Sequence, residues 1–174
     1  MFLIPKGPSV TKRVFNVLFL CTGDAAYGIL AESILNQIGR GRFHAFSAGK
    51  YPVGSINPFA RELLETQRVP SSDLRSKSLD EILKPGAPAL DFVFTVGENG
   101  ADEAYPELPG QPMTAHWGTK DSATLEGVDK AKRYATLTAF RILRRRIGLF
   151  TSLPIEKLDA MPLQRRLNDI GHAR

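Results

Sequence analysis

Residues 17–35 read VLFLCTGDAAYGILAESIL, and Cys21 is the only cysteine in the 174-residue chain. It closes an apolar run. Thr22, Gly23, Asp24, Ala25 and Ala26 follow as a loop, and Tyr27 and Gly28 lead into a helical pattern. A thiol at a strand–loop–helix turn gains from two sources. The helix N-terminus carries partial positive charge, which lowers a cysteine pKa. Successive backbone N–H groups form a concave nest for a tetrahedral anion. Together these suit a thiolate nucleophile beneath a bound oxyanion; the competing reading is a structural cysteine that packs as a small hydrophobe. The loop offers a carboxylate, Asp24, and a phenol, Tyr27, but no cationic side chain. Two like charges ~4 Å apart repel by about 4 kcal/mol at an effective dielectric of about 20. An Asp24 carboxylate aimed into the cradle therefore opposes both a thiolate and a bound dianion. Aimed outward, it serves the turn as asparagine does.

The elements that must hold this loop follow from pattern. Strands are predicted at 14–20, 43–49, 91–96 and 112–117, with DFVFTV (91–96) the clearest: a continuous apolar run suited to a strand covered on both faces. Helices are predicted at 28–39, 57–67, 78–84 and 127–150. Asn57 followed by Pro58 is a cap and first-turn signal. Ser78 with Glu81 has the spacing of a capping box. The long helix has its apolar stripe on Val128, Ala131, Ala135, Ala139, Ile142, Leu143 and Ile147. Strands alternating with helices imply an α/β fold, with a parallel sheet between helices and a ligand site at the strand C-termini near a topological switch point. Cys21 follows the first strand, the Gly/Pro/acid-rich stretch 97–111 the third, and Asp121 the fourth, so three loops open on one edge.

The bounds set by composition are those of an ordinary soluble domain: 43% hydrophobic and 24% charged residues, with a net charge of +5. A single cysteine excludes an internal disulfide and any cysteine-based zinc site, and no metal or cofactor is implied. No apolar stretch approaches the ~20 residues needed to span a bilayer, and the N-terminus is too short in apolar residues for a signal peptide; the expected location is the cytoplasm. The basic run RILRRRIGLF (141–150) reads as a solvated helix face rather than a nucleic-acid surface, which would interleave aromatics or glycines. His44 and His116 fall at strand positions and are expected in the core or supporting it. The expected organisation is a flexible tail over 1–13, a domain over 14–150, and a helical extension over 151–174 with a possible break at Pro162.

The run VLFLCTGDAAYGILAESIL resembles the active-site segment of the low-molecular-weight protein tyrosine phosphatases, and is most similar to that of their thioredoxin-coupled arsenate reductase relatives. The likeness continues through GRFHAFSAG, NPFA, LRSKS, APALDFVFTV, PGQPMTAHWG and SLPIEKLDAMPLQRRL. It implies a three-layer α/β/α fold with a four-stranded parallel sheet. It implies Cys21 as nucleophile, residues 22–28 as the anion-binding loop, and Asp121 as the acid that protonates the leaving group. The departures fall where the chemistry would occur. The family's loop arginine is Tyr27, the thiolate-supporting serine is Gly28, and the loop asparagine is Asp24. The two resolving cysteines of the reductases correspond to Gly97 and Tyr105. An arginine fork binds two oxygens of such an anion, and loss of one oxyanion donor alone costs roughly 10²–10³ in rate. The expectation is therefore a degenerate, catalytically impaired homologue that binds an oxyanion (phosphate, sulfate or arsenate) or a protein partner, but no nucleic acid or membrane. The alternative is a working phosphatase or arsenate reductase using Cys21, Asp121 and an external thiol as reductant. Oligomeric state stays open at this stage.

Overall fold

A computed structural model of the chain describes residues 13–21, 26–49, 57–70, 74–75, 77–96, 108–118 and 129–173. Thr22, Gly23, Asp24, Ala25, Gly97, Tyr105 and Asp121 lie outside the described residues. So do the tail before Arg13 and the acidic positions of 98–107.

The chain runs β1 (Phe15–Cys21), α1 (Ala26–Ile38), β2 (Phe43–Gly49), α2 (Pro58–Thr66), α3 (Leu79–Ile82), β3 (Phe92–Thr95), β4 (Met113–His116), α4 (Asp129–Thr151) and α5 (Ala160–Ile170). The four strands form one sheet in the order β2-β1-β3-β4, parallel throughout and flanked by helices. The α/β fold expected from the alternation is the one observed. β1 is central because it is the most apolar strand: Val17, Leu18, Phe19, Leu20 and Cys21 are all buried. The chain passes from β1 outward to β2, then returns to β3 on the other side of β1. The switch point is thus the crevice between the C-termini of β1 and β3.

Alternating residues send two sets of side chains to opposite faces. Phe15, Val17, Phe19, Phe43, Phe92 and Phe94 build the main core with helix residues such as Leu30, Ile34, Leu143, Ile147, Phe150 and Leu167. The rings of Phe94 and Trp117 stack with centroids 3.7 Å apart at its centre. The other face carries a smaller cluster of Leu18, Leu20, Ala48, Leu90 and Val93, capped by Leu79 and Ile82 of α3 and by Leu108.

Local signals were mostly literal. Asn57 Oδ1 accepts from the backbone N–H of Phe59 at 2.9 Å and caps α2. Four expectations need correction. The Ser78/Glu81 capping box does not form: Ser78 makes no side-chain cap, and the Glu81 carboxylate is taken by Arg75. The α4 stripe is only partly as expected: Ala139, Leu143 and Ile147 are buried, but Ala131 is exposed, Val128 lies outside the described residues, and Thr136, Phe140, Arg146 and Phe150 are buried as well. His44 and His116 are exposed rather than in the core. His44 stacks on Phe46 with centroids 4.4 Å apart, and His116 Nδ1 lies 2.7 Å from Thr95 Oγ1. Pro162 does not break α5. It sits in the first turn, where its missing N–H has no intrahelical bond to lose. Leu163, Leu167 and Ile170 of α5 enter the main core, so α5 packs against the same core as the sheet.

Candidate active site

Cys21 is the last residue of β1 and is 4% exposed. Its position follows from register: Leu20 O accepts from Val96 N at 2.8 Å, and Cys21 pairs with Gly49 across β1 and β2. The Sγ lies 3.8 Å from Val96 O, within reach of a weak S–H···O bond. The thiol thus sits at the crevice between β1 and β3, the place where such sheets bind ligands. α1 begins at Ala26, with no acidic residue in its first turn.

Tyr27 is 2% exposed and belongs to the main core cluster. A tyrosine at this helix position is buried at less cost than an arginine, whose guanidinium would need a counter-ion or several acceptors there. Gly28 is the next contact. A Cβ there would stand 3.3 Å from Cys21 Sγ, 3.4 Å from Ser47 Cβ and 3.6 Å from Phe19 O. Position 28, where the resemblance implies a serine, is therefore adjacent to the sulfur, and glycine brings no hydroxyl there.

Behind Gly28 lies a buried polar group that the pattern reading missed. Ser47 Oγ donates to Glu32 Oε2 at 2.7 Å, and Lys77 Nζ donates to Glu32 Oε1 at 3.0 Å. Glu32 and Ser47 are buried, and the Lys77 side chain is 14% exposed. The signal was a carboxylate inside an apolar stretch of α1, ILAESIL, where only a partnered acid can be buried. Lys77 also fixes the rim through its backbone: its carbonyl accepts from Gly49 N at 2.8 Å, and Ser78 bridges to Gly49. The other nearby cation in sequence, Arg75, donates to both oxygens of Glu81. That hydrogen bond from Arg75 holds the Glu81 carboxyl below its ordinary range and raises the Arg75 pKa in turn. Both basic side chains of LRSKS therefore have carboxylate partners.

Of the residues expected at the site, the structure brings Cys21, Tyr27 and Gly28 together at the start of α1. Thr22–Ala25 and Asp121 are outside the described residues. Among the described residues no group of His, Cys, Asp and Glu could hold a metal, and no helix is long and apolar enough to cross a membrane.

No protein-family model matches the chain. Individual relatives do. An arsenate reductase from Oceanobacillus iheyensis is 30% identical over 139 residues, covering 80% of this chain and 92% of that one. The solved thioredoxin-dependent arsenate reductase of Corynebacterium glutamicum superposes with a TM-score of 0.59 at 27% identity, over 85% of this chain and 66% of that one. A low-molecular-weight protein tyrosine phosphatase from T. tengcongensis superposes with a TM-score of 0.52 at 24% identity, over 83% and 99%, a likeness of fold. With the sheet order, the strand-end cysteine and these similarities in hand, the chain belongs to the low-molecular-weight tyrosine phosphatase and arsenate reductase family.

Proposed function

We propose that this chain is a catalytically impaired member of its family, one that keeps the strand–loop–helix frame but acts by binding a ligand or partner rather than by turnover. The observation that carries this reading is Tyr27, a core residue at the position where the family resemblance places the anion-binding arginine. Three further observations support it. Gly28 brings no hydroxyl of its own beside Cys21 Sγ, at the position where the resemblance places a serine. Lys77 and Arg75 are engaged by Glu32 and Glu81, so neither stands in for the missing cation without giving up an ion pair. The single cysteine removes any internal disulfide relay through positions 97 and 105.

The test compares the chain with Cys21→Ser in para-nitrophenyl phosphate hydrolysis and in arsenate reduction with an excess of small-molecule thiol. The expected result is no Cys21-dependent turnover by either. The combined replacement Asp24→Asn, Tyr27→Arg and Gly28→Ser is expected to raise hydrolysis by roughly 10²-fold or more, the scale of one restored oxyanion donor. Robust Cys21-dependent hydrolysis or reduction by the unaltered chain would overturn the proposal. It would favour the reading in which Cys21 attacks, Asp121 protonates the leaving group and an external thiol is the reductant.

A further inference from the structure

β2 lies at one edge of the sheet, with β1 as its strand neighbour. An edge strand presents a row of backbone N–H and C=O groups with which a strand of another chain can pair. Proteins ordinarily blunt such an edge with lysine, other charged side chains or proline. β2 reads FHAFSAG and carries no Lys, Arg, Asp, Glu or Pro. A short aromatic run without those residues is the composition that pairs readily between chains. His44 is exposed on it, and Phe46 is half-buried.

The backbone of β2 is closed from the side instead. Arg42 O accepts from Phe15 N of β1 at 2.9 Å, so the alternate groups of Phe43, Ala45 and Gly49 face away from β1. Phe43 N donates to Gly39 O at 2.9 Å and Gly49 N donates to Lys77 O at 2.8 Å, which occupies the two ends. The middle is held by one side chain. Asn36 of α1 accepts from Ala45 N through Oδ1 at 2.8 Å and donates from Nδ2 to Ala45 O at 3.2 Å. Its amide makes the two bonds that a facing residue of an added antiparallel strand would make.

β4, at the other edge, is closed by a whole element. Gln164 Nε2 of α5 donates to Thr114 O at 2.8 Å, and Trp117 Nε1 donates to Leu167 O at 2.9 Å. Gly171 lies so close that a Cβ would stand 2.5 Å from His116 O. Arg146 of α4, buried at 6% exposure, ties the same segments together: Nη1 donates to Trp117 O at 2.9 Å and Nε to Ala173 O at 3.0 Å. Opening that edge requires α5 to leave the core. Opening the centre of β2 requires the loss of one amide.

We infer that Asn36 guards β2 against strand pairing, and that the partner it shuts out is a second copy of this chain. Every molecule in solution carries the same uncovered strand once the amide is removed. Antiparallel pairing of β2 with itself about a two-fold axis is self-complementary, and it would join two four-stranded sheets into one.

Asn36→Leu roughly keeps the size of the side chain and removes both hydrogen bonds. Sedimentation velocity over a series of concentrations is expected to show association of the variant beyond any shown by the unaltered chain. Amide hydrogen exchange locates the contact: in dilute variant the Ala45 N–H should exchange about tenfold faster than in the unaltered chain, the scale of one lost hydrogen bond. It should become protected again as the chains associate. Adding His44→Lys places a charge on the exposed edge and should return sedimentation to that of the unaltered chain. Asn36→Ala, which removes the amide and adds no bulk, is read in the same way and covers the case in which leucine disturbs α1. A folded Asn36 variant that sediments like the unaltered chain at every concentration would overturn the inference. So would association that leaves the Ala45 N–H exchanging fast, or that survives His44→Lys.

Discussion

At the residue scale the chemistry turns on what surrounds one sulfur. Cys21 Sγ has Val96 O at 3.8 Å, and a Cβ at Gly28 would stand 3.3 Å from it. Gly28→Ser would place a hydroxyl donor beside the sulfur. At 3.3 Å a Cβ is tight against Cys21 but meets the end of a side chain rather than backbone, so small adjustments accommodate it. A hydrogen bond to a charged group is worth about 1.5–3 kcal/mol, which corresponds to roughly one to two pH units of thiol acidity. The expected outcome is a lower midpoint in the pH dependence of Cys21 alkylation by iodoacetamide. An unmoved midpoint would show that position 28 does not address the sulfur. Position 28 was legible from the sequence as a departure from the family. That Tyr27 is part of the core was not, because a tyrosine after a loop satisfies either a surface or a core pattern.

At the element scale the site rim is tied to α1 and β2 by Glu32, Ser47 and Lys77. The pair is largely buried, so its two halves are expected to be strongly unequal to lose. Lys77→Met leaves Glu32 as an uncompensated buried carboxylate, and removal of one partner of such a pair costs about 3–5 kcal/mol. Lys77→Met combined with Glu32→Leu removes both charges and should recover most of that loss. Urea denaturation of the two variants measures the difference. Equal stability of the single and double variants would mean that the ion pair contributes little. This network joins residues 45 positions apart in sequence. Helical periodicity marks Glu32 as anomalous but names no partner for it. The reverse holds for Ser78 and Glu81, whose spacing named a partnership that the structure gives instead to Arg75 and Glu81.

At the scale of the whole molecule, α5 shares the main core with the sheet. Leu167 is fully buried in the main core, and its carbonyl receives the Trp117 indole. Leu167→Ala should therefore destabilise the entire fold by about 2–5 kcal/mol. Trp117 fluorescence and far-ultraviolet circular dichroism should report a single coincident transition. Two separated transitions would mark the helical extension over 151–174 as a unit that unfolds on its own.

The sequence by itself determined the parallel α/β architecture, the cysteine at the end of a strand, the cap at Asn57 and the absence of a cation in the loop. These features are local: an apolar run, a capping pair or a missing residue type is visible within about ten positions. Tertiary structure alone decided that Tyr27 is core, that Glu32 is buried against Lys77, and that one arginine of the RILRRRIGLF run is interior while its neighbours face water. Those outcomes depend on which distant segments fold against a helix face. A buried charge is tolerated only where such segments happen to present acceptors, and no local pattern encodes where they will be.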